Sequence, residues 1–157
     1  ERLLKKAERI IVSDRPRERI STDASWYQCK FCDFHPICHG RKAPAANCRT
    51  CVHSTPLMDG NARWFCEKSE RDLSPEDQKQ ACASHNFIPP MLDHFAEPLD
   101  THGDNVVYLN KLNQKEFTNG PDGYSSAEIA AVTDVAIIGD EVTDMLKAEF
   151  EGAELIG

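Results

Sequence analysis

The stretch "CKFCDFHPICHG", residues 29–40, decides what holds this chain together, because it concentrates metal-binding residue types in one short segment. It contains Cys29, Cys32, Cys38 and His39. A second cluster, "NCRTCVHS", follows it closely in the sequence. Two cysteines separated by two residues can reach one metal ion from a tight turn, and as a disulfide such a pair is usually redox-active. Both clusters therefore predict metal sites.

Composition and cysteine count limit the class of protein. The chain has 157 residues, of which 40% are hydrophobic, 28% are charged and seven are cysteines. A secreted disulfide framework normally uses an even number of cysteines, so we expect a reducing compartment, the cytoplasm. No apolar run is long enough to cross a bilayer and no signal-peptide pattern opens the chain, which predicts a soluble protein with no membrane partner. The first residue is Glu rather than Met, so we expect a fragment of a longer protein.

Charge is spread unevenly along the chain, although the total is -8. Residues 1–99 carry 15 Lys and Arg against 14 Asp and Glu, whereas residues 100–157 carry 3 against 12. An acidic segment repels the phosphates of nucleic acids. We therefore expect any contact with DNA in the first part of the chain. The acidic segment can dock on a protein partner or shield the basic face, and the sequence leaves both open.

The sequence predicts a small α+β fold in three parts. Residues 1–40 combine an amphipathic helix over 1–13 with the first cysteine cluster. Residues 41–99 are expected to form an irregular, zinc-binding unit, and residues 100–157 an acidic α+β segment at the C-terminal end. The fold class is thus a metal-stapled unit followed by a small α+β segment.

Capping residues mark two helices in this scheme. Ser74, with Pro75 behind it, predicts a short helix that carries Cys82 near its end. Ser125 and Glu128 form a second capping box that opens another helix. Further elements are predicted as follows: a turn and short strand within 59–65, strands at 105–110 and within 115–123, a short buried strand at 135–140, and a helix with a core-facing apolar side at 141–150.

The cysteines from residue 48 onward have a spacing that suits one zinc site, with the ligands Cys48, Cys51, Cys66 and Cys82. Four thiolates make a closed tetrahedral shell with no open position for catalysis, so we expect a structural Zn²⁺. His85 or His53 can replace one thiolate; otherwise His85 supports a ligand or caps the helix. A unit of about fifty residues with few apolar anchors usually needs such a metal.

The first cluster leaves a metal site one ligand short. His39 or His35 can complete a zinc shell, or a fourth cysteine can come from outside these residues. The motif "CKFCDFHPIC" resembles the C-terminal iron–sulfur staple of RecB-type PD-(D/E)XK nucleases, a group that includes AddB subunits and small CRISPR-associated exonucleases. The resemblance implies that Cys29, Cys32 and Cys38 bind a 4Fe-4S cluster whose fourth ligand lies outside this chain.

A longer run of motifs carries a more specific resemblance. "RERIS…WYQCKFCDFHPICHG" and "CRTCVHSTPL…WFCEKS…DLSPEDQKQACASHNFIP" resemble the C-terminal part of bacteriophage and prophage PD-(D/E)XK exonucleases, which implies a place in the bacterial host cytoplasm. The catalytic centre of that family needs an acidic pair and a lysine on a β-hairpin upstream of the cysteines. The 28 residues before Cys29 do not supply that hairpin. We therefore expect no catalytic residue here, and a structural or DNA-guiding role.

Two functions stay open at this point. The first is the metal-binding C-terminal portion of a phage-type DNA exonuclease, and the second is a free-standing zinc-binding interaction module that contacts DNA or a protein partner. A thiol oxidoreductase is disfavoured, because the second cluster lacks a thioredoxin-like βαβ context. DNA contact is expected on the basic residues near both clusters: Lys30, Arg41, Lys42, Arg49 and Arg63.

Overall fold

The computed structural model describes residues 2–13, 18–150 and 152–156, which contain two antiparallel three-stranded sheets and a few short helices. The predicted small α+β class is confirmed in this respect. The chain divides into two compact units, Glu1–His39 and Gly40–Gly157. Among the described residues, no helix is both long and apolar enough to cross a membrane.

In the first unit, the described residues form three helices: α1 (Arg2–Ile11), α2 (Tyr27–Lys30) and α3 (His35–Cys38). α1 confirms the predicted N-terminal helix, but its apolar side chains are exposed, Leu3 by 80%. Of the residues that the structure describes in this unit, only Cys29 is buried. The unit therefore gains little stability from hydrophobic burial. Glu1 and the start of the "RERIS" motif lie outside the described residues.

The second unit begins with an antiparallel sheet in the order β1-β2-β3. Its strands are β1 (Ser54–Pro56), β2 (Trp64–Cys66) and β3 (Arg71–Leu73). The predicted turn lies between β1 and β2, where Gly60 adopts a φ of 82° that its missing Cβ permits. β2 confirms the predicted short strand. Most side chains of this sheet are exposed or half-buried, so the sheet adds little to the core.

The helix predicted from Ser74 onward is wrong in length. Its capping interaction is present, since Ser74 Oγ accepts a hydrogen bond from the Asp77 N–H at 3.1 Å. The helix itself is a single 3-10 turn, Asp77–Lys79. It ends because Gln80 becomes extended and its carbonyl accepts a hydrogen bond from the Cys48 N–H at 3.1 Å. Cys82 therefore lies in a loop rather than on a helix.

The second antiparallel sheet has the order β4-β5-β6. It consists of β4 (Ala96–His102), β5 (Asn105–Asn110) and β6 (Glu116–Asn119). β5 and β6 confirm two predicted strands, and buried residues alternate with half-buried ones along β5, as expected for a strand with one face on the core. β4 has no counterpart among the predictions, because proline and charged residues obscure its pattern. It spans the boundary between residues 99 and 100, where the C-terminal segment was expected to begin.

The hydrophobic core lies against the second sheet. Its buried side chains are Ala43, Phe87, Leu92, Phe95, Ala96, Val106, Tyr108, Phe117, Tyr124, Ile129, Val132, Val135 and Ile138. The rings of Phe95 and Tyr108 stack on Phe117, with centroids 6.1 Å and 5.3 Å away. Phe87 comes from the cysteine-rich half of the unit, so that half is anchored to this core.

Helix α4 (Ser126–Ala131) confirms a prediction made from its capping residues. Ser125 Oγ accepts a hydrogen bond from the Glu128 N–H at 3.2 Å, and Glu128 Oε2 accepts one from the Ser125 N–H at 2.8 Å. Both bonds satisfy backbone donors that the first helical turn leaves unpaired.

The short buried strand predicted for 135–140 is wrong, because this segment forms a 3-10 turn, Val135–Ile137. Asn110 Nδ2 donates hydrogen bonds to the carbonyl oxygens of Val135 and Ile138, both at 2.9 Å. Asn110 is fully buried, and its Oδ1 accepts a bond from the Leu112 N–H at 3.0 Å. Asn113 Nδ2 donates to the carbonyl oxygens of Ala136 and Ile138 at 2.7 Å and 3.1 Å, so two asparagine side chains take the place of a β-ladder.

The C-terminal helix, α5 (Glu141–Glu149), confirms the predicted helix but not its orientation. The apolar residues expected to face the core are between 45% and 60% exposed: Val142, Met145, Leu146 and Phe150. Polar side chains attach the helix instead. Lys147 Nζ donates to Glu128 Oε1 at 2.5 Å and lies 4.2 Å from the centroid of the Tyr124 ring, whose hydroxyl donates to Asp144. The core-facing prediction is therefore wrong.

We expect Asn110→Ala to destabilise the second unit by about 1–3 kcal/mol, because it removes a buried donor from the Val135 and Ile138 carbonyl groups and the side-chain acceptor of the Leu112 N–H. The measurement is urea denaturation followed by circular dichroism. Asn61→Ala, at an exposed turn position, is the matched control and should leave the free energy of unfolding almost unchanged. Equal effects of the two substitutions would contradict the role assigned to Asn110.

We expect Lys147→Met to destabilise the same unit by about 1–3 kcal/mol at neutral pH, because it removes a charge-assisted bond from a buried carboxylate. Burial alone would raise the pKa of Glu128, but Lys147 and Ser125 outweigh burial and lower it. The stabilisation linked to this low pKa is present above pH 4.5 and is lost as the pH falls through the pKa of the folded state. The free energies of unfolding of wild type and variant should therefore become more similar as the pH falls.

Thermal denaturation at a series of pH values checks this result. Lys115→Met is the control, since Lys115 pairs with Glu141 of the same helix at 2.6 Å but in an exposed position. Exposed pairs contribute about 0–1 kcal/mol. A loss as large for Lys115→Met as for Lys147→Met would show that burial does not set the strength of the pair.

Candidate metal centre

A cavity of about 250 Å³ in the second unit collects the predicted zinc ligands. Among its lining residues are Cys48, Cys51, Cys66 and Cys82, together with His53 and His85. They come from four separate parts of the backbone: a 3-10 turn, the residue after it, the end of β2, and the loop that follows the second 3-10 turn. The structure thus brings together all five residues predicted for this site, and the alternative histidine as well.

The first cysteine pair is positioned by a local hydrogen-bond pattern. Asn47 precedes the 3-10 turn Cys48–Thr50 and caps it, since Asn47 Oδ1 accepts a bond from the Arg49 N–H at 2.9 Å. Thr50 Oγ1 in turn accepts from the Asn47 N–H at 3.1 Å. Cys51 then leaves the turn and pairs with Phe87 in an isolated antiparallel bridge. Both cysteines are therefore held by backbone geometry before any metal binds.

Two thiols receive hydrogen bonds from the backbone. Burial raises the pKa of Cys51, and the N–H groups of His53 and Asn86 only partly offset it. Burial would also raise the pKa of Cys66, but there the hydroxyl and N–H of Ser69, with further help from Lys68, outweigh burial and lower it. N–H groups aimed at a sulfur stabilise its thiolate, which is the form that binds metals.

The pKa of Cys48 reports how close the four thiols lie. It is raised by burial first, and then by repulsion from the thiolates of Cys51, Cys82 and Cys66. Arg71 also lines the cavity and interacts electrostatically with Cys66 and Cys48. The guanidinium group of Arg71 helps to lower the pKa of Cys66, whereas the pKa values of Cys48 and Cys51 stay raised by burial.

Buried polar atoms without partners point into the same region. Among the described residues, four buried side-chain nitrogen or oxygen atoms have no hydrogen-bond partner: His53 Nε2, Ser54 Oγ, His85 Nδ1 and Tyr108 Oη. The first three belong to residues that line the cysteine cavity. Buried polar atoms are nearly always paired, so these three atoms are positions at which a water molecule or a ligand in the cavity would find a partner.

His85 has a defined protonation state. Its Nε2 lies 2.8 Å from the carbonyl oxygen of Asn47 and 3.2 Å from Thr50 Oγ1. A carbonyl oxygen only accepts hydrogen bonds, so Nε2 carries the proton. Burial lowers the pKa of His85 and favours the neutral ring, which leaves a bare lone pair on Nδ1.

The thiols do not yet converge on a common point. In the part of the chain that the structure describes, no group of three or more His, Cys, Asp or Glu side chains has the arrangement of a metal site. Cys48 Sγ, for example, donates to the Gln80 carbonyl at 3.4 Å. A cysteine sulfur can move between staggered rotamers without a change in the backbone. The zinc ligand set therefore stays a prediction, supported by a shared cavity.

The first cysteine cluster lines a separate cavity of about 360 Å³ within the first unit. Cys29, Cys32 and Cys38 surround it together with His35 and His39. The two histidine rings lie 5.2 Å apart between centroids, and His35 Nε2 lies 3.2 Å from the Ala24 carbonyl oxygen. The structure thus brings the predicted thiols and both candidate histidines around one cavity.

Three of the five basic residues predicted to contact DNA have side-chain partners within the protein. Arg41 pairs with Asp134 at 3.3 Å, Arg63 Nη2 with Asp72 at 2.6 Å, and Arg49 Nη2 donates to Gln78 at 3.1 Å. Lys30 and Lys42 are exposed. To contact DNA, Arg41 and Arg63 would have to bind a phosphate in addition to the carboxylate partner, or break the ion pair with that partner.

Three features of the site escaped the sequence-based predictions. Ser54 and Ser69 were not singled out, and neither was the backbone carbonyl of Asn47 that fixes the ring of His85. One signal was available, since Ser69 follows Cys66 at the spacing at which a turn returns its N–H to the sulfur.

Comparison of the chain with protein families, curated proteins and solved structures found no match.

Proposed function

We propose that Gly40–Gly157 is a zinc-binding structural module without a catalytic site of its own. One observation carries the proposal: four cysteines from three separate stretches of the sequence line a single cavity, together with three residues that have a buried polar atom without a partner. Zn²⁺ prefers thiolate and imidazole ligands and needs four of them, which this cavity supplies. Metal binding would give these unpartnered atoms a partner, either the metal ion or another group bound to it.

The role is structural because the surrounding fold cannot hold this region by burial. Within the first sheet only Leu73 is buried, whereas the main core lies against the second sheet. A region with so little apolar interior depends on a metal or a similar crosslink. A shell of protein ligands leaves no position for a substrate, so no chemistry is assigned to this metal.

The wider context of the module is a proposal from the sequence. The motifs of residues 1–95 resemble the C-terminal part of phage-type PD-(D/E)XK exonucleases. In that setting the chain is the metal-binding, non-catalytic portion of a DNA exonuclease, and the catalytic hairpin belongs to another part of the protein. A free-standing zinc module that binds a protein partner through its acidic segment is the alternative.

The first cluster is proposed as a second metal site. Cys29, Cys32 and Cys38 share a cavity with two histidines, so His39 or His35 can complete a zinc shell. A 4Fe-4S cluster is the other candidate, with its fourth ligand from outside this chain. Zinc, iron and sulfide measured in protein purified without oxygen separate these cases. Zinc at both clusters without iron supports the zinc module, and iron with sulfide supports the exonuclease setting.

We expect Cys51→Ser and Cys66→Ser each to remove one zinc equivalent and to lower the melting temperature of the second unit, because each removes a thiolate from the same shell. Metal analysis and thermal denaturation, with and without a chelator, measure both effects. Cys38→Ser is the matched control for stability: it removes a thiol from the other cavity and should leave the melting temperature of the second unit unchanged. Retention of the full zinc content by Cys51→Ser and Cys66→Ser would refute the proposed site.

For contact with DNA we expect a charge-reversed variant, Arg41→Glu with Lys42→Glu and Arg49→Glu, to lose binding to duplex or single-stranded DNA at low salt. Phosphate contacts supply most non-specific affinity, and their loss also reduces the dependence of binding on salt. Fluorescence anisotropy at several salt concentrations measures both quantities. Lys79→Glu, at another exposed position of the same unit, serves as the control. Unchanged affinity in the triple variant would remove the DNA-guiding role.

A further inference from the structure

The cysteine cavity offers more donors than a tetrahedral zinc ion can use. Four cysteines and two histidines line it, whereas a structural zinc site takes four ligands. The identity of the four is therefore a separate question from whether zinc binds. The surroundings of each donor distinguish the candidates.

His85 has the surroundings of a metal ligand. Only 3% of the residue is exposed, and its ring donates from Nε2 to the Asn47 carbonyl oxygen. Metal-binding histidines almost always donate their second ring nitrogen to a carboxylate, a carbonyl or water, which fixes the tautomer and the ring orientation. The other ring nitrogen, Nδ1, has no hydrogen-bond partner, and His85 is one of the residues that line the cavity.

The position of Asn47 strengthens this assignment. Asn47 caps the turn that carries Cys48, so one capping residue orients both a thiol and the imidazole ring. The backbone of His85 is held as well. The carbonyl oxygen of His85 accepts a hydrogen bond from Ser126 Oγ at 2.7 Å, which ties this residue to helix α4.

The competing donors are held less well. Cys82 is exposed and lies in the loop, whereas Cys51 is buried and Cys66 receives hydrogen bonds from the turn behind it. His53 interacts electrostatically with Asp104, a carboxylate that also binds Lys68 at 2.6 Å. His53 is only half-buried, whereas His85 is buried.

We infer that the zinc ligands of this site are Cys48, Cys51, Cys66 and Nδ1 of His85, with the Asn47 carbonyl oxygen positioning the ring. This ligand set rests on the proposed zinc function. It makes Cys82 a free thiol beside the site instead of a ligand. Three thiolates and a neutral imidazole give the zinc centre one negative charge less than four thiolates, which reduces the repulsion among the sulfur atoms.

The test uses the full chain with Cys29→Ser, Cys32→Ser and Cys38→Ser, so that zinc at the first cluster does not contribute. X-ray absorption of the zinc-loaded protein should give three sulfur ligands and one nitrogen ligand. Four sulfur ligands would overturn the inference while leaving the zinc function intact. Absence of zinc from this protein would instead refute the proposed function itself.

Substitutions in the same background identify the nitrogen ligand. We expect His85→Gln to weaken zinc binding about tenfold or more, measured by competition with a chromogenic chelator. Cys82→Ser and His53→Gln are the matched controls and should leave the affinity unchanged. A loss of affinity in Cys82→Ser or in His53→Gln overturns the assignment. If His85→Gln does not fold, X-ray absorption of the protein that retains His85, combined with the two controls, still decides the ligand set.

Discussion

The second unit depends on the short segment that starts at His85 and passes between the cysteine cavity and the hydrophobic core. Its backbone runs beside the first cysteine turn, where the Val52 N–H donates to the Asn86 carbonyl at 2.9 Å. The next side chain, Phe87, is fully buried in the core, and its N–H donates to Asn119 Oδ1 at 3.1 Å. One strand-like stretch therefore presents an imidazole ring to the cavity and an aromatic ring to the core.

This arrangement divides the unit into two regions that are stabilised by different means. Around the second sheet, stacked aromatic rings and buried aliphatic side chains remove apolar surface from water. Around the first sheet there is little to bury, and the polar atoms that face the cavity lack partners. A metal in that cavity would give partners to the polar atoms around the first sheet. Because the segment that starts at His85 joins this region to the core, loss of the metal would also destabilise the region around the second sheet. The proposed zinc site is thus part of the fold rather than an addition to it.

Buried polar side chains organise the C-terminal part as well. Asn110 holds two carbonyl groups in a compact turn, and the Glu128–Lys147 pair attaches α5 by its polar side. The apolar side of α5 is left exposed. Polar docking of this kind satisfies buried hydrogen-bonding groups at every contact, and it explains why a helix with apolar residues at helical spacing does not turn them inward.

The sequence by itself determined the local features of this protein. Capping boxes at Ser74 and Ser125, the strand 105–110 and the grouping of cysteines by spacing all follow from neighbouring residues, because a turn or a cap involves positions a few residues apart. Only the tertiary structure decided the rest. The orientation of α5, the turn at 135–137, the loop position of Cys82 and the tautomer of His85 each depend on hydrogen bonds between residues far apart in the chain, such as that from His85 to the carbonyl of Asn47. Local sequence patterns do not indicate such partners, because the partners meet only once the chain has folded.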